Sequence, residues 1–270
     1  MKHSVFALPA LLLLCSAALA HDYWLGPEPY FLPARGGMAL VRLHVGDKFK
    51  SEEERPLQKE RTPRFQLYSR GETLDLLAQG REGGKPVARM TLTKAGNYLV
   101  AMERIPTEIK LEAQKFTAYL REEGLVGIVA ERERAGESGR EGRERYSRHL
   151  KTLLQVGTTQ DDTYRRNLGH KLEIIPQANP YGMRRGDGLS VQVLFEGKPL
   201  PNAVVFVHNR RAGRVSTQRA TTDAFGRATF TLDRRGEWLV RLVHMRRCQS
   251  ADCGEIEWES FWSSYSFGMR

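Results

Sequence analysis

Apolar and polar residues alternate along much of the chain, which is the pattern of β-strands with one buried face. In segment 38–45 every odd position is apolar, and Gly and Pro recur at the spacing expected between short strands. Further strands are predicted at 65–68, 87–92, 98–102, 147–156, 172–175, 189–195, 203–208, 228–232, 238–244 and 261–267.

The period changes in the middle of the chain. Phe116, Tyr119 and Leu120 follow an i, i+3, i+4 spacing, which predicts a helix over 113–122. A second short helix is predicted over 125–134, after which the alternating pattern returns.

Two ten-residue segments resemble each other. Residues 91–100 read TLTKAGNYLV and residues 231–240 read TLDRRGEWLV, so Tyr98 corresponds to Trp238. Each is interpreted as a strand–turn–strand hairpin, and the match suggests two related units in tandem. Convergence on a common hairpin is the alternative.

Together these patterns predict a mainly β fold of two tandem antiparallel β-sandwich domains, immunoglobulin-like or transthyretin-like. The first is expected over 21–165, with a helical insertion near 108–135, and the second over 170–270. A polar linker over 158–169 separates them.

The start of the chain has the features of a secretory signal peptide over 1–20. A basic start precedes an apolar run over 5–14, too short to span a bilayer, and 18–20 form an A-x-A cleavage site. We therefore expect a periplasmic protein with no stable membrane insertion after cleavage. Lipidation at Cys15 is the alternative, but Leu14 is a poor residue before a lipidated cysteine.

Export changes the interpretation of the remaining cysteines. Cys248 and Cys253 are five residues apart, and such a close pair outside the cytoplasm is expected to be a disulfide. A two-thiolate metal site is the alternative, but it requires reduced sulfurs.

The chain is basic, with 42 Lys and Arg against 32 Asp and Glu and a net charge of +10. Many arginines lie in 132–148, where they alternate with Glu, and in 234–247. The sequence has no helix-turn-helix, RNA-binding aromatic motif or zinc finger. The charge therefore predicts a solvated surface and no nucleic-acid partner.

Cleavage after Ala20 would make His21 the first residue, offering its α-amine and imidazole as two nitrogen ligands for Cu, Ni, Co or Zn. The histidines form no local zinc motif, so further ligands must come from the fold. We predict a metal site of His21, His244 and His208, the last two lying at strand ends. Carboxylates for the same site are available at Asp22, Glu257 and Glu259. The alternative is that His21 marks only a cleavage point and that the other two are structural.

Catalytic motifs are lacking in the sequence. It has no G-x-S-x-G elbow, no phosphate-binding Gly loop and no evident pair of catalytic acids. We therefore expect no enzymatic activity. The aromatic segment 258–262 is interpreted as strand core, with a sugar-stacking platform as the alternative.

Several segments resemble one bacterial family, domain-of-unknown-function family 4198. They are HDYWLGPEPYFL, KFTAYLREEGL, GRERYSRHLKTLLQVG, LEIIPQANPYGMRRGDGLSVQVLFEGKPLPNAVV, TDAFGRATFTLDRRGEWLVRLVHM and DCGEIEWESFWSSYSF. That family is grouped with periplasmic components of cobalt and nickel uptake systems. TDAFGRATF also resembles transthyretin-like and carboxypeptidase-regulatory-like sandwiches.

The resemblance implies a non-catalytic periplasmic protein that binds nickel or cobalt and assists uptake, with a membrane permease as partner. His21 and Asp22 match the His-Asp start that is usual in this family. His208 and His244 match histidines that the family carries on two of its strands. A structural or ligand-binding module without metal is the main alternative, and a copper enzyme with an amino-terminal histidine brace is the third hypothesis.

Overall fold

The computed structural model describes residues 21–270, so the predicted signal peptide and Cys15 lie outside the described residues. The strands are β1 (Asp22–Glu28), β2 (Phe31–Leu32), β3 (Gly37–Asp47), β4 (Lys50–Arg55), β5 (Arg64–Ser69), β6 (Glu72–Asp75), β7 (Ala88–Leu92), β8 (Gly96–Leu111), β9 (Gly142–Val156), β10 (Leu172–Pro176), β11 (Gly188–Phe195), β12 (Lys198–Pro199), β13 (Val204–Arg211), β14 (Arg214–Thr221), β15 (Arg227–Thr231), β16 (Gly236–Arg247) and β17 (Trp258–Met269). The helices are α1 (Leu76–Gln79), α2 (Ala113–Glu122) and α3 (Val126–Arg134), and 3-10 turns occupy Lys59–Arg61, Asp162–Arg165 and Pro180–Gly182.

A nine-stranded sheet runs through the whole molecule in the order β14-β13-β16-β17-β9-β8-β5-β6, with β2 also paired to β9. Its two halves meet where β17 pairs in parallel with β9, from Trp258 opposite Glu144 to Ser266 opposite Thr152. Two four-stranded sheets complete the fold: β1, β3, β4 and β7 form one, and β10, β11, β12 and β15 form the other.

The two smaller sheets cover opposite faces of the large sheet. Side chains alternate between the faces of a strand, so β8 and β9 contribute to two cores. Val100 and Leu154 pack with the β1–β3–β4–β7 sheet. Leu99 and Leu153 pack on the opposite face with the β10–β11–β12–β15 sheet.

The mainly β sandwich fold predicted from the alternating pattern is confirmed. The core beneath the β1–β3–β4–β7 sheet comes from the first half of the chain, whereas the core beneath the β10–β11–β12–β15 sheet combines residues of both halves, including Leu99 and Leu153. The halves also share the nine-stranded sheet, because β9 is bordered by a strand of each half. The division into two tandem domains therefore stays a prediction. The expected linker region contains the 3-10 turn Asp162–Arg165 and leads from β9 into β10 of the other sheet.

The two repeated segments have the same local structure, although neither is a hairpin. β7 pairs with β3 while β8 pairs with β5 and β9, and β15 and β16 are likewise in different sheets. The predicted strand pairing across each turn is therefore wrong. Each turn instead connects a strand of a small sheet to a strand of the large sheet. In each, the aromatic side chain donates a hydrogen bond four residues back, from Tyr98 to the Lys94 carbonyl and from Trp238 to the Arg234 carbonyl.

Helices α2 and α3 lie inside the predicted insertion, and they cover the large sheet beside the first small sheet. The predicted face of Phe116, Tyr119 and Leu120 packs on β16 and β17, including Trp258 and Trp262. These two tryptophans are 0% and 4% exposed, which supports the core interpretation of segment 258–262. The four-residue helix α1 lies outside the expected insertion. Asp75 caps its amino-terminal end, with a side chain that accepts hydrogen bonds from two backbone amides.

Cys248 and Cys253 are joined in a disulfide, as predicted, with an S–S distance of 2.01 Å. The bond closes the loop between β16 and β17. Within residues 21–270, no helix has the length and apolar character needed to cross a membrane.

Candidate functional site

A cavity of about 330 Å³ with a mixed polar and apolar lining opens on the large sheet, beyond the end of the β10–β11–β12–β15 sheet. Its lining includes His149 and Ser147 of β9, Glu103 of β8, and Phe261 of β17. The strand register explains the grouping, since Glu103 is directly opposite His149 and paired residues share a face of the sheet.

His170 lies beside this cavity, on the crossover that leads from β9 to β10. Its position is fixed by Glu173, whose carboxylate accepts from the His170 amide at 3.1 Å and from the Leu168 amide at 2.7 Å. Lys151 also pairs with Glu173, and the two side chains are 2% and 1% exposed. A buried ion pair therefore anchors the segment that carries His170.

The two imidazoles are neighbours with their centroids 5.5 Å apart. His170 Nε2 is 3.5 Å from Glu103 Oε1, and Glu103 also pairs with Arg64. Within residues 21–270, His149 Nδ1 and both ring nitrogens of His170 are buried without a hydrogen-bond partner. Such unsatisfied nitrogens are uncommon in folded proteins, and a bound ion or water is one explanation for them.

Burial keeps both rings uncharged at neutral pH. It lowers the pKa of His149 to about 4, opposed by a backbone hydrogen bond at Trp262. Burial also lowers the pKa of His170 well below its usual value, and the Lys151 charge adds to this effect. A neutral imidazole has a lone pair free to bind a metal.

The three histidines predicted to form a metal site lie elsewhere. His21 Nε2 contacts Glu52 Oε2 at 3.0 Å. His208 is 1% exposed, and its Nδ1 is 2.8 Å from the Thr217 hydroxyl. The His244 ring packs on Phe195 with centroids 4.4 Å apart.

The sheet places His208 and His244 on opposite faces. His208 pairs with Leu239, whereas His244 pairs with Phe261. Leu239 and His244 are five residues apart on β16, so their side chains point to opposite sides. This conformation does not bring the three histidines together, and a metal site formed by them stays a prediction.

The carboxylates expected to assist that site have other partners. Asp22 is ion-paired with buried Arg241, and Glu259 with Arg246. Glu257 Oε2 accepts a 3.4 Å hydrogen bond from the Arg143 amide.

The sequence patterns do not single out His149 and His170 as a pair. They are 21 residues apart, and only the crossover after β9 brings the rings together. One signal was present in the predicted strand 147–156. From residue 150 onward its even face is apolar apart from Thr152, whereas the odd face carries Ser147, His149 and Lys151.

The family model described as "Domain of unknown function (DUF4198)" matches residues 18–246. No curated protein matches the chain. Two solved structures resemble it weakly. The D0-D1 domain of intimin is 13% identical, with a TM-score of 0.21, over 92% of this chain and 98% of that one. Three N-terminal domains of the bacteriophage RB49 Highly Immunogenic Outer Capsid protein (Hoc) are 8% identical, with a TM-score of 0.23, over 93% and 71%. TM-scores this low support no statement about fold or function.

Proposed function

The chain belongs to the DUF4198 family, whose description assigns no activity, and we propose that it is a non-catalytic, extracytoplasmic metal-binding protein with His149, His170 and Glu103 as ligands. The observation that carries this proposal is a pair of neutral imidazoles in which three of the four ring nitrogens have no hydrogen-bond partner among the described residues. The disulfide supports an oxidising compartment outside the cytoplasm.

One pair of the three proposed ligands has the spacing of two ligands on a single ion. Two ligand atoms about 2.1 Å from a tetrahedral metal are about 3.4 Å apart, close to the 3.5 Å between His170 Nε2 and Glu103 Oε1. Imidazole nitrogens suit nickel, cobalt, copper and zinc better than magnesium or calcium. Among residues 21–270, no group of three or more His, Cys, Asp or Glu is already arranged to hold an ion. Binding therefore requires these side chains to converge.

Nickel or cobalt as the metal, a role in uptake and a membrane permease as partner are supported only by the family resemblance. Phosphate-cradling and hydrolytic motifs are missing from the sequence, and the cavity's Ser147 lies on a regular strand, so we propose no catalytic step.

Titration of the cleaved protein with Ni²⁺, Co²⁺, Cu²⁺ and Zn²⁺ tests the proposal. We expect His149→Gln and His170→Gln each to raise the Kd at least tenfold, because each removes one ligand nitrogen. The matched controls are His208→Gln and His244→Gln, buried or half-buried histidines of the same sheet. The controls are expected to bind metal as the unaltered protein does.

The opposite pattern would favour the site predicted from sequence. Weaker binding after His244→Gln and after an added residue before His21, with full binding by His149→Gln, would overturn the site proposed here. Failure of the unaltered protein to bind any of the four ions would leave the structural or ligand-binding module as the better hypothesis.

The pH dependence of binding provides an independent prediction. Ordinary imidazoles, with pKa near 6.5, lose metal affinity as the pH falls below 7 because protons compete for the nitrogen. Burial lowers the pKa of His149 to about 4, and that of His170 well below its usual value. We expect the Kd to change less than about threefold between pH 7 and pH 5.5. Calorimetry at both pH values would show this, and a steep loss would indicate exposed ligands.

A further inference from the structure

Six exposed arginines gather at one end of the second sandwich, and we call this surface the arginine end. They come from three loops: the loop before β11, the β13–β14 turn and the β15–β16 turn. The six are Arg184, Arg185, Arg211, Arg214, Arg234 and Arg235.

Hydrogen bonds and close packing join the three loops into one surface. Arg185 Nε donates to the Asp233 carbonyl at 2.7 Å, which links the first loop to the third. Asn209 Nδ2 donates to the Arg235 carbonyl at 3.3 Å, which links the β13 end to the same turn. A Cβ at Gly236 would be 3.1 Å from that of Arg211, so these two turns are in contact.

The arginine end differs from the other basic regions in having few acidic partners. Arg143, Arg145 and Arg247 each pair with two carboxylates. Of the six arginines at this end, only Arg234 has a carboxylate partner among the described residues, Asp233 at 3.4 Å. Its positive charge is therefore largely uncompensated.

The chemistry of the surface fits phosphate. Its exposed basic groups are guanidiniums, which bind phosphate oxygens in a bidentate manner. The loops 183–187, 211–214 and 233–236 contain no aromatic residue, whereas single-stranded nucleic acid is commonly bound by stacking on aromatic side chains. The disulfide also indicates a compartment outside the cytoplasm.

We propose that the arginine end docks the protein on an anionic phospholipid bilayer, with the guanidiniums on lipid phosphates and no segment inserted. The attraction is additive, since each basic side chain near such a surface contributes separately to binding. The second sandwich would then be oriented with this end against the membrane. The proposal does not depend on the metal site.

Co-sedimentation with vesicles tests it. The full mature protein is expected to bind vesicles of phosphatidylglycerol and phosphatidylcholine in equal parts at about 0.05 M salt, and to be released at about 0.5 M, where charges are screened. Replacing Arg184, Arg211, Arg214 and Arg235 together by Gln is expected to weaken partitioning tenfold or more. These four side chains make no ion pair with a described carboxylate, so the fold should tolerate their replacement.

The matched control replaces Arg81, Arg89, Arg121 and Arg134 by Gln, which removes the same charge from other exposed positions. It should retain most of the vesicle binding. Equal loss in both variants would show a net-charge effect and overturn the docking surface. Binding to pure phosphatidylcholine vesicles, or tighter binding to a DNA or RNA duplex at the same salt and phosphate concentration, would also overturn it.

Discussion

Replacing Arg241 by Met is expected to lower the free energy of unfolding by about 3–5 kcal/mol at pH 8, because it leaves two buried carboxylates without their cation. Arg241 Nε is 3.0 Å from Asp22 Oδ1, and the guanidinium also pairs with Glu123. The Arg241 side chain is 5% exposed. Denaturant unfolding of both proteins would measure the difference.

The loss should be smaller at pH 5. Burial raises the pKa of Asp22, and raises that of Glu123 to about 7, even with Arg241 present. When the pKa of a carboxyl is higher in the folded protein than in the unfolded chain, the unfolded chain releases its proton first. Stability therefore falls as the pH rises from the unfolded pKa, near 4, to the folded pKa. Without Arg241, both carboxyls are expected to be protonated in the folded protein at pH 5, at little cost. At pH 8 each must either carry a buried charge without a cation or keep a proton that the unfolded chain would release, and both lower the free energy of unfolding.

Arg219→Met is the matched control for Arg241→Met. Both guanidiniums lie over the Phe206 ring, at 4.9 Å for Arg219 and 4.4 Å for Arg241. Arg219 is exposed and has no carboxylate partner among the described residues, so its replacement should cost less than about 1 kcal/mol. A similar loss in both variants, or a loss for Arg241→Met that does not change with pH, would contradict this explanation.

Lys151→Met is expected to cost about 3–5 kcal/mol for a related reason. It leaves the Glu173 carboxylate, 1% exposed, with backbone donors at Leu168 and His170 in place of an ion pair. The Lys151 ammonium also donates to the Arg166 and Ile174 carbonyls at 3.3 Å. Thermal and denaturant unfolding would measure the effect.

Two comparisons make the Lys151 prediction specific. Lys171→Met, on an exposed neighbour 3.8 Å from Glu196, should be nearly neutral. Lys151→Met combined with Glu173→Leu should recover part of the stability, because no buried charge is then left alone. If the double variant were as unstable as the sum of both single changes, packing rather than charge would explain the loss.

Local patterns in the sequence predicted most of the individual elements. The spacing of Phe116, Tyr119 and Leu120 gave α2 with its observed bounds, and the strand predicted over 172–175 agrees with β10 to within one residue. In such segments the buried face alone selects the structure, so the period of apolar residues carries the information. β1 was not predicted, because Gly26 and Pro27 interrupt its apolar run.

The arrangement of the strands depended on long-range pairing that no local pattern contains. The parallel β9–β17 pairing joins residues more than a hundred positions apart. β7 and β8 look like a hairpin in sequence because the turn between them resembles one, yet they lie in different sheets. The candidate site has the same limitation. His149 comes from a strand and His170 from a crossover anchored by a buried Lys–Glu pair, and such a pair is not apparent from residue spacing.

The position of β17 affects how the chain must be synthesised and folded. β17 follows all the other described strands in sequence, yet it lies between β16 and β9 at the centre of the nine-stranded sheet. Ser266 on this strand donates to the carbonyl of Leu25, 241 residues earlier. Until β17 emerges, β9 and β16 each have an open edge that can pair with another chain. Chains interrupted before residue 258 should therefore aggregate or be degraded, whereas chains that include β17 should accumulate.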